Sequence, residues 1–288
     1  MSIAPSAPTL KDYRGDVNTW CPGCGHFGVL AALQRALVNL KIPPHEVINV
    51  SGIGCSSKVP EYMRSYGFHS LHGRALPIAQ GAKMGAKDLH VIVTGGDGDG
   101  YGIGGNHFLH AVRRNMDITY VVMDNGVYSL TKGQTSPTSP LGFVTRTTVY
   151  GNKERPLDAL SVAIAAGGTF VAQGFSGDVK RLTEILERAI QHKGFALVNV
   201  LSPCVTYNKV LTYDYYKEHL VTVEEPFPTR EEAIRFVKEH RGLVHGILYV
   251  DPETPDYQTA LGYELRTREI PEGPMDEALL RELEEEFR

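Results

Sequence analysis

Hydrophobic positions along this chain follow two rhythms that alternate. From Gly25 to Lys41, Val29, Leu30, Leu33, Leu37 and Leu40 recur at helical spacing, and Pro43-Pro44 ends the pattern. EVINVSG (46–52) then has the length and apolar content of a buried strand, LPIAQGAKMGAK (76–87) reads as a helix of small residues, and HVIVTGG (90–96) as a second strand, ending near Thr94 and running into glycines and aspartates. A helix from Asn106 to Arg114, the strand ITYVVMDN, the polar loop NGVYSLTKGQTSPTSP, the helix LDALSVAIAAG, the strand TFVAQG, the helix VKRLTEILERAIQ and the strand FALVNVLS continue the alternation. Strands and helices in this order require right-handed crossovers, so the expected fold class is α/β, a mostly parallel sheet with helices on both faces.

Past residue 206 the pattern weakens. Thr229 and Glu232 have the spacing of a capping box ahead of AIRFVKEH, and GPMDEALLRELEEEFR at the end reads as a charged amphipathic helix after a Gly-Pro start. This region is expected to be an extension or arm rather than an independent domain.

Composition narrows the function. A hydrophobic content of 42% suits a packed core, and a formal net charge of -4 with dispersed Lys and Arg gives no footprint for nucleic acid or an anionic membrane. No stretch approaches the roughly 18 apolar residues of a membrane helix, and the N-terminal residues do not read as a leader. A cytoplasmic protein is expected.

The stretch GGDGDGYGIGGNH permits two nucleotide readings. Gly100, Gly102 and Gly105 satisfy the dinucleotide fingerprint G-x-G-x-x-G, with Asp124 where a ribose-binding acid would stand. That fingerprint needs its first glycine at the immediate strand-to-helix turn, whereas here GDGD intervenes. The second reading starts at Gly96-Asp97-Gly98 and closes, after 26 further residues, at Asn125. Two successive parallel strands would put Asp97 and Asn125 at neighbouring carboxyl ends, where open α/β sheets bind ligands. A carboxylate, an amide oxygen and the carbonyl of Val127 are hard donors suited to Mg²⁺ holding a diphosphate, and Gly96 and Gly98 let backbone approach the phosphates.

The cysteine inventory is Cys21, Cys24, Cys55 and Cys204. WCPGC at a helix start fits a thioredoxin-like thiol pair, but TLKDYRGDVNT ahead of it is polar and strandless. A zinc-stabilised binding module without catalysis would normally have two Cys-x-x-Cys knuckles, and Cys55 and Cys204 are singletons. An iron-sulfur cube takes four converging thiolates, and one close pair with two distant ligands is an ordinary arrangement. Cys55 and Cys204 each follow a strand, at the sheet edge where the diphosphate site is expected.

Taken in order, WCPGCGH, SGIGCSS, HGR, GGDGD and DNGVYSLTKGQT resemble the β subunit of 2-oxoacid:ferredoxin oxidoreductases across roughly residues 15 to 210. The resemblance implies thiamine diphosphate in a thiamine diphosphate-binding fold, with Mg²⁺ on Asp97, Asn125 and Val127. It implies a cofactor lining of Ile53, Gly54, Cys55, Ser56, His72, Gly96, Gly98, Asp99, Ser129 and Leu130, and a 4Fe-4S cluster on Cys21, Cys24, Cys55 and Cys204. The implied reaction is coenzyme A-dependent oxidative decarboxylation of a 2-oxoacid, with electrons passing to ferredoxin and reductive carboxylation as the reverse. Lys132 in LTKGQT and Lys58 after Cys55 are expected to meet a second substrate carboxylate, which favours 2-oxoglutarate over pyruvate. Lacking a second α/β domain for the pyrimidine end of the cofactor, the chain is expected to need an α subunit, alone or fused to a γ portion, in a dimer of heterodimers. The expected organisation is an N-terminal segment with cluster ligands (1–24), the thiamine diphosphate-binding domain (25–205) and the C-terminal arm (206–288).

Overall fold

A computed structural model describes residues 7–262 and Arg281. In chain order these form α1 (His26–Asn39), β1 (Val47–Ser51), α2 (Val59–Tyr62), β2 (Tyr66–His69), α3 (Ala75–Gly85), β3 (His90–Gly96), α4 (Gly105–Arg114), β4 (Ile118–Asp124), α5 (Ala159–Ala165), β5 (Phe170–Phe175), α6 (Val179–Gln191), β6 (Phe195–Leu201), α7 (Tyr213–His219), β7 (Val221–Thr222), α8 (Arg230–Glu239), β8 (Val244–Val250) and α9 (Tyr257–Leu261).

The strands build one sheet in the order β2-β1-β3-β4-β6-β5-β8-β7. β1 to β6 run parallel, and β8 pairs antiparallel with β5. Burial on both faces explains why the central strands read as unbroken apolar runs. Along β4, Val121 and Met123 enter the core beneath α1 and α6, while Tyr120 and Val122 enter the core beneath α3, α4, α5 and α8. All seven residues of β4 are buried.

Helix starts follow local chemistry. Asp158 accepts from the Ser161 amide, Asp178 from that of Arg181 and Thr229 from that of Glu232, each satisfying an amide the first turn leaves free. α1 has no side-chain cap and is anchored instead by the Gly25 amide donating to Pro203 O (3.1 Å). A side chain at Gly25 would strike the Ser202–Pro203 backbone, so this approach requires glycine.

Three features refine the sequence reading. β3 continues past Thr94 to Gly96, because a parallel ladder bonds through backbone and Gly96 pairs in register with Met123. The next residues, Gly98–Ile103, wind into a π-helical turn feeding α4, in place of a dinucleotide turn. β2 was not expected, and neither were β7 and β8, which extend the main sheet from within 206–262. The C-terminal amphipathic helix expected over 273–288 lies outside the described residues, apart from Arg281. No helix among the described residues is long and apolar enough to cross a membrane.

Candidate functional site

The carboxyl ends of β1, β3 and β4 lie side by side, and the loops leaving them line a cavity of about 70 Å³. The loop after β1 contributes Ile53, Gly54, Cys55 and Ser56, and the turn after β2 contributes His72. The end of β3 contributes Gly96 through Asp99, and the loop after β4 contributes Asn125, Val127, Ser129 and Leu130. Every residue expected to touch cofactor or magnesium thus borders one space. Tyr128 and Thr131 also line it and escaped the sequence reading. The signal for Tyr128 was the glycines: its ring fills the places that side chains at Gly98 and Gly102 would occupy, and its hydroxyl donates to Gly98 O (3.0 Å).

Asp97 is 1% exposed, its Oδ1 accepting from the Asn125 amide (3.4 Å). Asn125 Oδ1 in turn accepts from the Val127 amide (3.0 Å) in an Asx turn, and Asn125 Nδ2 donates to Ser129 Oγ (3.0 Å), which donates to Val127 O (3.4 Å). Burial, and then the neighbouring Asp124 carboxylate, push the Asp97 carboxyl up to about 7. Among the described residues neither Asp97 nor Asp124 has a basic side chain within ion-pair distance. Two buried carboxylates without a basic partner, beside neutral oxygen donors and a backbone cradle of glycines, fit a bound hard dication.

Asp99 organises the walls. Its Oδ1 accepts from the amides of Ile53 (3.0 Å) and Gly73 (2.8 Å) and lies 2.9 Å from His72 Nδ1, an electrostatic contact too poorly aligned for a full hydrogen bond. Burial raises the Asp99 carboxyl, while those two amides and His72 pull it back.

The cysteines approach from three segments. The Cys24 amide donates to Cys21 O (3.0 Å), Gly25 bonds to Pro203 just before Cys204, and Trp20 Nε1 donates to Cys55 O (2.6 Å). Trp20 is buried and packs edge-on against His26, Phe27 and Tyr62, which fixes this loop. Burial pushes the Cys24 thiol up to about 12, helped by the negative charges of Cys204, Cys55 and Cys21; Cys55 is raised in the same way by burial, Cys204 and Cys21. These backbone and tryptophan bonds hold the three cysteine-bearing segments together, and all four cysteines are unbridged. Among the described residues no three His, Cys, Asp or Glu side chains form a single-ion site. A cube, larger than one ion, takes its thiolates at wider spacing.

Lys58 and Lys132 do not line the cavity. Lys58 Nζ donates to Thr19 Oγ1 (2.9 Å), and Lys132 is exposed in a left-handed turn (φ 84°).

The comparisons with known proteins identify the domain and the family. Residues 52–200 match the model for the C-terminal TPP-binding domain of thiamine pyrophosphate enzymes, and residues 204–264 the model for the C-terminal part of the pyruvate ferredoxin oxidoreductase beta subunit. The sheet and its cavity therefore define a thiamine diphosphate-binding domain. The chain is 50% identical to the 2-oxoacid:ferredoxin oxidoreductase subunit beta of Saccharolobus solfataricus over 72% of its own length and 69% of that protein's. It is 41% identical to subunit beta of 2-oxoacid:ferredoxin oxidoreductase 1 of Aeropyrum pernix, over 95% and 91% of the two chains. The 2-oxoglutarate synthase subunit KorB of Methanocaldococcus jannaschii is 44% identical, over 69% and 75%. Among solved structures, the 2-oxoglutarate:ferredoxin oxidoreductase from Magnetococcus marinus, with 2-oxoglutarate, coenzyme A and succinyl-CoA bound, superposes with a TM-score of 0.85 at 39% identity, covering 96% of each chain. The chain belongs to the 2-oxoacid:ferredoxin oxidoreductase β-subunit family.

Proposed function

We propose that this β subunit holds the diphosphate end of thiamine diphosphate through Mg²⁺ on Asp97, Asn125 and the Val127 carbonyl, and a 4Fe-4S cluster on Cys21, Cys24, Cys55 and Cys204. Cys55 carries the reading: it borders the diphosphate cavity, and its carbonyl accepts from Trp20 Nε1, the residue next to Cys21. A cluster ligand in the cofactor wall is what single-electron oxidation beside the cofactor requires. When bound, thiamine diphosphate supplies the carbanion chemistry that cleaves a 2-oxoacid. The chain's own residues place it: Gly96 and Gly98 admit the phosphates, Ser56 and Ser129 offer hydroxyls, and His72, held against Asp99, closes one wall.

A cavity of about 70 Å³ takes only part of the cofactor, since pockets that enclose a whole small molecule measure roughly 300–1,000 Å³. An α subunit, alone or with a fused γ portion, completes the site around the pyrimidine, in a dimer of heterodimers in the cytoplasm. The reaction is oxidative decarboxylation of a 2-oxoacid to its coenzyme A thioester with ferredoxin as acceptor, reversible as reductive carboxylation. We favour 2-oxoglutarate over pyruvate: relatives include proteins named 2-oxoglutarate synthase, and the Magnetococcus marinus enzyme was solved with 2-oxoglutarate. Lys132, and secondarily Lys58, would meet the distal carboxylate once the loop and the partner close over the substrate.

Anaerobic purification with the partner subunit, followed by iron, sulfide, magnesium and thiamine analysis, tests the reading. Four irons and one thiamine per β subunit, with 2-oxoglutarate-dependent ferredoxin reduction, are expected. A colourless zinc protein would overturn it, as would turnover by the β subunit alone.

A further inference from the structure

The Ser-Pro-Thr-Ser-Pro stretch at 136–140 looks in sequence like a solvated loop, yet its hydroxyls point inward beneath the cation ligands. Thr138 Oγ1 lies 2.8 Å from Asp97 Oδ2 and 2.8 Å from Asp124 Oδ1. Ser139 Oγ donates to Gly126 O (2.7 Å) and accepts from the Ser136 amide (2.8 Å). Asp124 Oδ1 also accepts from the Gly126 amide (3.2 Å), inside the turn that presents Asn125 and Val127. Asn208 Nδ2 braces the same turn through Asn125 O (2.9 Å).

The geometry points to Thr138 and Asp124 as positioning residues of the cation site, a role that rests on the magnesium reading above. Thr138 pins the rear oxygen of Asp97, and Asp124 ties that hydroxyl to the Asn125–Val127 turn, so the ligands from two strands are set by one shared contact. One hydroxyl proton cannot satisfy two carboxylates, and no basic side chain among the described residues pairs with either. The unpaired carboxylates suit a dication, with Asp97 as ligand and Asp124 one shell out. Groups in this outer position orient metal ligands and set affinity without touching the ion.

The test uses the complex with its partner subunit, stripped of cofactor and titrated with Mg²⁺ at fixed thiamine diphosphate, reading bound cofactor by equilibrium dialysis and thiamine fluorescence. Thr138→Val and the isosteric Asp124→Asn should each raise the half-saturating Mg²⁺ concentration about tenfold or more, while Thr138→Ser stays within about threefold of wild type. The thermal midpoint of the stripped complex should stay near wild type for Thr138→Ser, and titrating every variant below the midpoint of its own stripped complex separates lost positioning from lost folding. Asp97→Ala is the control. If Asp97→Ala abolishes Mg²⁺-dependent binding while Thr138→Val and Asp124→Asn titrate like wild type, the positioning role is wrong and the magnesium site stands. If Asp97→Ala also titrates like wild type, the magnesium reading falls and the positioning role falls with it.

Discussion

His72 and Asp99 meet at 2.9 Å across the cavity wall, one from the turn after β2 and the other from the turn after β3. The same Asp99 oxygen takes the Ile53 and Gly73 amides, so one carboxylate fastens three loops. Asp99→Ala leaves both amides without their acceptor, each worth about 1–3 kcal/mol when buried. The expected result is a drop in melting temperature together with weaker thiamine diphosphate binding, measured by thermal unfolding and equilibrium dialysis. Unchanged cofactor affinity in a folded Asp99→Ala protein would count against this fastening.

Gly98→Ala tests the cavity from the other side. A β-carbon there collides with the Tyr128 ring, which must move into the space left for the cofactor. Loss of thiamine diphosphate affinity of about tenfold, with little change in iron content, is the expected outcome; a loss of this size corresponds to about 1.4 kcal/mol.

Lys132 bears on substrate choice. Exposed and without a carboxylate partner among the described residues, it is free to meet an incoming anion. Lys132→Ala should raise KM for 2-oxoglutarate by about tenfold or more and leave that for pyruvate nearly unchanged, since only the first substrate has a second carboxylate to lose a charge-assisted bond. Equal changes for both substrates would remove Lys132 from the specificity argument.

His245 in β8 links stability to pH. It is 5% exposed, and burial, with Arg181 adding to the effect against the opposing pull of Asp178 and Glu224, lowers its imidazole from 6.5 to about 4. The unfolded chain takes up this proton first. Stability is therefore unaffected above about pH 6.5, falls as pH drops from 6.5 toward 4, and levels off below, with a ceiling on the order of 3 kcal/mol. Melting temperatures of wild type and His245→Asn from pH 7.5 to 4.5 should converge as acidity rises.

Asp97 and Asn125 were legible because each closes one of two successive apolar strands, a glycine-aspartate motif on the first and an asparagine on the next; most of the remaining lining came from the family resemblance. Cys55 and Cys204 were legible for the same reason, each lying just past the end of a strand. The loop residues were not. Tyr128 borders the cavity because glycines opposite give it room, a relationship between residues 30 apart that no local pattern shows. Thr138 sits in a stretch whose composition is that of a solvated turn, and only the folded chain turns its hydroxyl inward. β2 is four residues long and exposed throughout, too short for its alternating Tyr66 and Phe68 to stand out as a strand. β8 lies in a region of weak pattern and runs antiparallel to β5, outside the crossover rule that predicted the parallel strands.

Gln173 Nε2 donates to Gly242 O (2.6 Å) and Val244 O (2.8 Å), while its Oε1 accepts from Asn199, whose amide also reaches Asp124. The two family models meet between residues 200 and 204, yet these bonds run straight across that seam. Ancestry and mechanical integrity thus divide the polypeptide differently. A shortened version ending near the seam would strip the glutamine of its carbonyls and loosen a strut whose far end reaches Asp124, behind Asp97 and Asn125.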